Sequence, residues 1–200
     1  MTLFGTFLRH GSNAALLIVG GVLAATIAWV PGGFSVLGLI AGMLVFFITE
    51  YTTHRFLLHA SPQSAPFVLR LQHRLHYDHH VTPDRLDLLF LPLWFAIPAL
   101  ILYGGIYFAI ARTAGLTLSL LLGSVIALLY YEWVHYIAHI PLAPVTPIGR
   151  YMKKYHLLHH FKNERLWFGV TNPSMDFVGR TYRKRDEADK SSTTRHLFEK

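Results

Sequence analysis

The sequence HRFLLH (54–59), followed by HYDHH (76–80), decides the fold, because a second copy of the same pattern occurs later in the chain. The second copy reads HYIAH (135–139), followed by HLLHH (156–160). In both copies 17 positions separate the spaced pair from the triplet (59 to 76 and 139 to 156), and the triplets lie 80 positions apart. The chain therefore contains an internal repeat, which is the first pattern to look for in a sequence.

Histidines in this repeat have the spacing of metal ligands. Imidazole is the commonest nitrogen ligand for transition metals, and it binds when neutral. Positions i, i+3 and i+4 share a helix face, so each triplet can point at one place, as can the pair His135 and His139. His54 and His59 turn about 140° around an ideal helix, so that helix must be distorted or end between them. Ten ligands suit two metal ions better than one; the candidates are His54, His59, His76, His79, His80, His135, His139, His156, His159 and His160.

Three further histidines fall outside the pattern. His10 and His196 stand alone, and a lone histidine is more often an ordinary core or surface residue. His73 has no counterpart in the second copy, where position 153 is lysine, so we leave it out of the ligand set.

The composition indicates an integral membrane protein. Hydrophobic residues make up 52% of the chain and charged residues only 14%, and the mean hydropathy is positive. About 20 apolar residues cross the hydrocarbon core of a bilayer, and the uncharged runs are of that length. We predict an all-α membrane protein with four transmembrane helices in two hairpins, forming one domain over 1–200. The predicted spans are 14–30, 34–49, 88–111 and 116–131.

The distribution of charge predicts the orientation. Lys and Arg accumulate around the first histidine set and in the tail, whereas the hairpin tips carry only Arg112. The positive-inside rule therefore places both termini and a histidine-rich helical cap in the cytoplasm, in a bacterial inner membrane or the endoplasmic reticulum. The run 14–30 is longer than the core of a typical signal peptide, so we expect a hairpin rather than a cleaved leader. Residues 183–200 are expected to form a flexible basic tail.

The absence of cysteine excludes several kinds of site, and the position of the charge argues against one class of partner. A chain without cysteine has no disulfide, no thiolate zinc site and no protein-ligated iron–sulfur cluster. The formal charge of +7 could suggest nucleic acid, but its position beside predicted spans argues against a nucleic-acid partner.

Nitrogen-rich sites suit iron, copper, nickel or zinc, so the ligands alone do not select the metal. A redox-active pair at the membrane face can activate dioxygen and oxidise a C–H bond of a lipid chain. Zinc has no redox couple, so iron is the metal expected in the active form.

Together, the motifs HRFLLH, HYDHH, VHYIAH, YMKKYHLLHHFKN and FGVT resemble the fatty acid hydroxylase branch of the fatty acid hydroxylase/sterol desaturase superfamily, over about residues 49–182. The resemblance implies a membrane enzyme with a histidine-bound dimetal centre that uses O2 and hydroxylates the 2-position of long acyl chains, including those of sphingolipids. It also implies that all ten histidines are ligands, with zinc as an alternative occupant. One metal would take His54, His59, His76, His80 and His159, and the other His79, His135, His139, His156 and His160.

The sequence departs from the eukaryotic acyl hydroxylases in lacking a fused haem-binding cytochrome domain. It also lacks a Gly-rich nucleotide fingerprint. Electrons are therefore expected from a separate donor protein. The region of Trp167 and the pair Ser174-Met175 differ from the family, which leaves the substrate open.

Carboxylates near the motifs are candidate partners for the second nitrogen of each imidazole, which metal-bound histidines normally donate to a carboxylate or carbonyl. Glu50 and Glu132 precede the spaced pairs at matching places, and Asp78 lies inside a triplet. Asp84, Asp87 and Asp176 are further candidates. Aromatic residues near the predicted interface fit an interfacial belt or bundle core better than an acyl tunnel; they are Phe46, Phe47, Trp94, Trp133 and Tyr136.

Three alternatives remain open. A sterol- or carotenoid-type oxidase, or a desaturase, would use the same site. A membrane metal transporter or sensor would place its ligands along a path near the bilayer midplane, whereas these follow the apolar runs. A structural metalloprotein without turnover would carry the same ligands.

Overall fold

The computed structural model describes residues 3–61 and 65–197, and these residues form helices and connecting loops with no β-strand among them. The third helix runs straight into a π-helical turn, and a second π-helical turn precedes the fifth helix. The elements are α1 (Leu3–Arg9), α2 (Gly11–Ile27), α3 (Val36–Thr53), the first π turn (His54–Leu58), α4 (Pro66–Gln72), the second π turn (His73–Tyr77), α5 (Asp78–Val81), α6 (Leu86–Leu89), α7 (Leu93–Ala111), α8 (Ala114–His139), α9 (Pro147–Phe161), α10 (Ser174–Val178) and a 3₁₀ turn (Arg185–Glu187).

Among the described residues, three helical stretches are long and apolar enough to cross a membrane: Val36–Leu58, Leu86–Ala111 and Ala114–His139. The first predicted span, 14–30, overlaps α2, which ends at Ile27. That helix passes the same test only together with α1, across a bend of 79°. An all-helical chain with three candidate spans is therefore observed, and a fourth span remains a prediction.

Helix α8 continues to His139, eight residues beyond the predicted end of its span at Tyr131. No glycine or proline interrupts the chain between those two positions, so nothing in the backbone stops the helix. The extension carries the pair His135 and His139 on the last turns of a continuous helix. Polarity marks where the apolar run ends, whereas the helix itself continues past that point.

The chain divides into two compact units. The first unit comprises Met1–Phe47 and Leu91–Glu132, and the second comprises Ile48–Phe90 and Trp133–Lys200. In the first unit an apolar core forms around five buried side chains. They are Leu16, Ala96, Leu100, Val125 and Leu128.

Glycine allows α3 and α8 to approach closely within the first unit. A Cβ atom added at Gly42 would overlap the carbonyl oxygen of Leu120, and one added at Gly123 would overlap that of Leu39. The Ser124 hydroxyl donates to the Gly42 carbonyl at 3.1 Å across this contact. Small residues serve the same purpose in membrane helix pairs generally, where close backbone packing replaces the hydrophobic effect.

Aromatic side chains near the predicted interface take part in packing within each unit. Phe46 packs against the apolar core and meets the Tyr131 ring edge-on, with centroids 6.2 Å apart. In the second unit, Tyr136 is buried and its ring lies 5.7 Å from that of Phe90. Trp94, by contrast, is 53% exposed.

The segment predicted to be a flexible tail makes defined hydrogen bonds in its described part, up to residue 197. The Ser191 amide donates to the Lys162 carbonyl at 2.8 Å, and the Thr193 hydroxyl donates to Glu164 at 2.7 Å. Upstream, the Trp167 indole N–H donates to the Arg183 carbonyl at 2.9 Å. These bonds join the described part of the tail to residues 162–167 of the second unit.

Candidate metal centre

The first spaced pair lies where α3 changes into a π-helical turn. The His59 amide donates to the His54 carbonyl at 3.0 Å, a bond that joins residues five apart. This wider turn brings two residues at i and i+5 to the same side of the backbone, and the two rings lie 5.0 Å apart. The distortion expected between His54 and His59 is confirmed.

The second spaced pair lies at the end of α8, which α9 holds in place. The ammonium group of Lys153 donates to the carbonyls of Ile137 and Ile140, at 2.9 Å and 2.6 Å. A cation at the C-terminus of a helix satisfies carbonyls that have no partner within the helix. The contact fixes the last turn of α8, and with it His139, against the helix that carries the second triplet.

Ten histidines converge in the second unit as two groups of five. Within each group, one ring nitrogen from every member lies within 4.8 Å of the others. Eight of the ten side chains are buried, and His59 and His139 are partly buried. The first histidine group is His54, His59, His76, His80 and His159; the second is His79, His135, His139, His156 and His160. This is the division that the family resemblance implies.

Each group takes four histidines from one copy of the repeat and the middle histidine of the triplet from the other copy. The expectation that each triplet points at one place is therefore wrong. Adjacent residues of a helix point about 100° apart, so His79 and His80 diverge, as do His159 and His160. The two groups nevertheless adjoin, because the rings of His80 and His160 stack with centroids 4.1 Å apart.

Nitrogen lone pairs in the first group face one another in a way that calls for a cation. His54 and His80 each donate Nδ1–H to a carbonyl, which leaves a lone pair on the Nε2 of each neutral ring. Both lone pairs face His76 Nε2, at 3.1 Å and 2.9 Å. The Nε2 of His59 lies 2.6 Å from the same atom. One proton on His76 can satisfy only one of these neighbours, whereas a metal ion would satisfy all of them.

In the second group, ring nitrogens also converge, but fewer of the rings donate to a backbone carbonyl. His135 Nε2 lies 3.0 Å from His79 Nε2, and His156 Nε2 lies 2.9 Å from His139 Nε2. The buried His160 ring has no hydrogen-bond partner for either nitrogen among the described residues. Its ring lies 4.6 Å from those of His139 and His156. The donor set of both groups therefore fits a metal ion.

Burial keeps these imidazoles in the form that binds metals. It lowers the pKa of His76, His79 and His156 well below the usual value, and the charge on neighbouring imidazoles lowers it further. The same two causes, in the same order, act on the pKa of His59 and His160. These side chains are therefore neutral near pH 7, and their nitrogen lone pairs are available.

Carbonyl groups, rather than carboxylates, accept the Nδ1–H of three members of the first group. His54 donates to Phe168 O at 2.5 Å. His80 donates to Thr194 O at 2.8 Å, and His159 donates to Leu166 O at 2.7 Å. Such bonds fix the tautomer and the ring orientation of a ligand. The sequence carries no signal for them, since every residue has a carbonyl.

The three carboxylates predicted as imidazole partners have other partners in the structure. Glu132 is fully buried and accepts the Leu91 amide at 2.9 Å. Asp78 accepts a hydrogen bond from His73 at 2.9 Å, on the surface of the second unit. Glu50 accepts from backbone and side-chain groups near residue 170. Each of these three carboxylates therefore accepts from a group other than the ten candidate ligands.

Phe168 is a neighbour of the first group that the sequence analysis missed. Its ring lies 5.5 Å from that of His54, 5.2 Å from that of His59 and 5.4 Å from that of His159. A buried aromatic ring beside the imidazoles excludes water from that side of the group. The signal that could have identified it is the FGVT motif, which begins at this residue.

Comparisons with known proteins point to one family. The family model described as fatty acid hydroxylase matches residues 39–181. The dihydroceramide fatty acyl 2-hydroxylase FAH2 of Arabidopsis thaliana is 33% identical over 148 residues, covering 72% of this chain and 61% of the relative. The ceramide very long chain fatty acid hydroxylase SCS7 of Saccharomyces cerevisiae is 30% identical over 204 residues, covering 90% of this chain and 49% of the relative.

A solved structure supports the same match. The hydroxylase domain visible in full-length scs7p has a TM-score of 0.76 and 27% sequence identity, and the match covers 89% of this chain and 67% of that one. The fatty acid 2-hydroxylase of Rattus norvegicus is 26% identical over 144 residues, which is 38% of its length. The chain thus spans between 38% and 61% of the length of these curated relatives.

Proposed function

This chain belongs to the fatty acid hydroxylase family, and from that premise we propose that it hydroxylates an acyl chain of a membrane lipid at a histidine-bound pair of metal ions. The observation that carries the proposal is the convergence of ten imidazoles into two adjoining groups of five. The family is metal-dependent, and both groups could hold an ion. All ten histidines act as ligands in this proposal.

The proposed substrate is a long acyl chain, oxidised at its 2-position. Support comes from the relatives, whose names specify 2-hydroxylation of fatty acyl groups and hydroxylation of very long chain fatty acids in ceramide. Three helical stretches that are long and apolar enough to cross a membrane are consistent with a substrate that resides in the bilayer. We further propose that both termini and the histidine groups face the cytoplasm, as the distribution of Lys and Arg favours.

Iron is the metal proposed for the active form, with zinc as an inactive occupant of the same nitrogen atoms. Bound iron would supply the redox couple that dioxygen chemistry requires, which zinc lacks. The protein's own contribution is to hold neutral imidazoles in place. The carbonyls of Leu166, Phe168 and Thr194 orient three of the rings, and burial keeps water away. The proposed source of electrons is a separate donor protein.

We expect the purified protein to contain two metal ions per chain, measured by inductively coupled plasma mass spectrometry. Removing them with a chelator should lower the melting temperature, because the converging lone pairs of the first group would face one another without a cation. Returning the metal should restore the melting temperature. Lipid oxidation that persists in fully metal-free protein would contradict the proposed function.

Lipid profiling of a host with and without this chain, supplied with a suitable reductase, tests the reaction itself. We expect acyl chains that have gained one oxygen atom at carbon 2. A loss of two hydrogen atoms instead would identify a desaturase that uses the same site. The matched control is the His79→Ala variant, which removes a ligand of the second group. No new product should appear with that variant.

A further inference from the structure

The segment Leu166–Thr171 supplies two of the three carbonyls that orient the first histidine group. Leu166 O accepts from His159, and Phe168 O accepts from His54. These two histidines come from different copies of the repeat, so a single loop aligns ligands from both halves of the chain. Between the two carbonyls lies Trp167, which is fully buried and has a positive φ of 59°.

One peptide group in this segment is held on both of its sides. Its carbonyl is that of Phe168, which accepts Nδ1–H from His54 at 2.5 Å. Its amide is that of Gly169, which donates to Asp176 Oδ2 at 2.7 Å. The carboxylate, the peptide and the imidazole therefore form a continuous chain of hydrogen bonds. Bonds in such a chain polarise one another, so the charge on the carboxylate makes the carbonyl a better acceptor.

Asp176 is itself fixed. Its side chain is fully buried, and Oδ1 accepts the Phe168 amide at 2.8 Å and the Thr181 hydroxyl at 2.7 Å. Gly169 permits this geometry, because a Cβ atom there would overlap the Asn172 carbonyl and lie 2.9 Å from Asp176 Oδ2. The absence of a side chain at Gly169 therefore lets this backbone lie directly against the Asp176 carboxylate.

A second carboxylate holds the far end of the segment. Glu50 Oε1 accepts the amides of Val170 and Thr171, at 2.7 Å and 3.0 Å. Its Oε2 accepts the Thr171 hydroxyl at 2.5 Å. Glu50 lies four residues before His54, near the end of α3, so the continuous helical stretch that carries the imidazole also anchors the loop that orients it.

We propose that Asp176 is a positioning residue for the first histidine group and acts on His54 through the Phe168–Gly169 peptide. The usual pairing of a metal-bound histidine with a carboxylate is here extended by one peptide group. The effect is confined to the first group. In the second group, Nδ1 of His79 and of His156 has no hydrogen-bond partner among the described residues. The inference rests on the proposed metal centre.

The test compares Asp176→Asn with the wild type. In the variant an amide N–H₂ must replace one acceptor and face a backbone N–H. Metal-stripped protein in detergent is titrated with Co²⁺, and binding is followed by the visible absorption of the ion. The step that belongs to the first group is the one lost in His159→Ala. We expect that step alone to weaken, by about 10- to 100-fold, and its absorption spectrum to change. The matched control is Asp186→Asn, an exposed carboxylate that should leave both steps unchanged.

Two results would overturn the proposal: both steps unchanged, or both weakened alike, as for a residue that serves only folding. Thr181→Val provides a milder variant, since it removes one hydroxyl donor to Asp176 and should weaken the same step to a smaller extent. If Asp176→Asn does not yield folded protein, this variant decides between the outcomes. A wild-type protein that binds fewer than two Co²⁺ ions would count against the proposed function instead.

Discussion

Replacing His159 with alanine is expected to abolish lipid hydroxylation and to lower the bound metal from two ions per chain to about one. His159 lies on α9 with members of the second group, yet its Nε2 is 3.0 Å from His59 Nε2 in the first. The Leu166 carbonyl fixes the ring in that direction. Loss of a ligand should lower the affinity of the first group for its metal ion by more than roughly 10- to 100-fold, which is the loss typical when a hydrogen-bond partner of a ligand is removed. Metal analysis and product analysis of the same preparation measure both effects.

The matched control is His73→Ala. His73 is adjacent to the repeat, but its ring is 46% exposed and its Nδ1 bonds to Asp78 outside both groups. Metal content and product yield should stay near those of the wild type. A His159→Ala protein that keeps two ions, or that oxidises lipid at the full rate, would show that the proposed ligand set is incorrect.

Part of the geometry of the candidate metal site follows from residue spacing. An offset of five from His54 to His59 is incompatible with a regular α-helix that presents both rings to one point, and the structure accommodates it with a π-helical turn. Members of a triplet four positions apart do stay together, as His76 with His80 and His156 with His160. An offset of four is about 40° around a helix, the smallest angle available at short range.

Spacing could not predict that the middle histidine of each triplet joins the group formed by the other copy of the repeat; we call this the exchange of the middle histidines. Spacing gives directions around one helix axis, whereas the destination of His79 and His159 depends on which element lies beside each helix. The family resemblance supplied that information. As a result of the exchange, neither copy of the repeat completes a five-membered group alone. The two halves of the chain must fold together for either group to form.

Backbone partners were the other part that sequence could not provide. The sequence predicts carboxylates as imidazole partners, whereas in the structure the carbonyls of Leu166, Phe168 and Thr194 accept from three of the rings. The carboxylate of Asp176 acts one step further away, on the loop that carries two of them. Side-chain chemistry is visible in a sequence, whereas the path of a loop is set by packing.

Replacing Gly42 with alanine is expected to destabilise the first unit strongly. The added methyl group would overlap the Leu120 carbonyl, which belongs to the backbone of α8 and cannot move aside as a side chain can. Gly123 of α8 makes the reciprocal close contact with the Leu39 carbonyl of α3, so the two helices cannot shift to make room for the added methyl group. Overpacking of this kind costs about 1–3 kcal/mol or more. The melting temperature in detergent should fall by about 2–4 °C for each kcal/mol.

The matched control is Gly105→Ala, in the middle of α7, where an added Cβ atom would find no heavy atom of the described residues within 4 Å. Alanine is the better helix former by about 1 kcal/mol, so this variant should melt at or slightly above the wild-type temperature. The two substitutions make the same chemical change in two apolar helices, so the difference between them isolates the helix contact. Equal melting temperatures for Gly42→Ala and Gly105→Ala would mean that α3 and α8 do not approach as closely as the glycines allow.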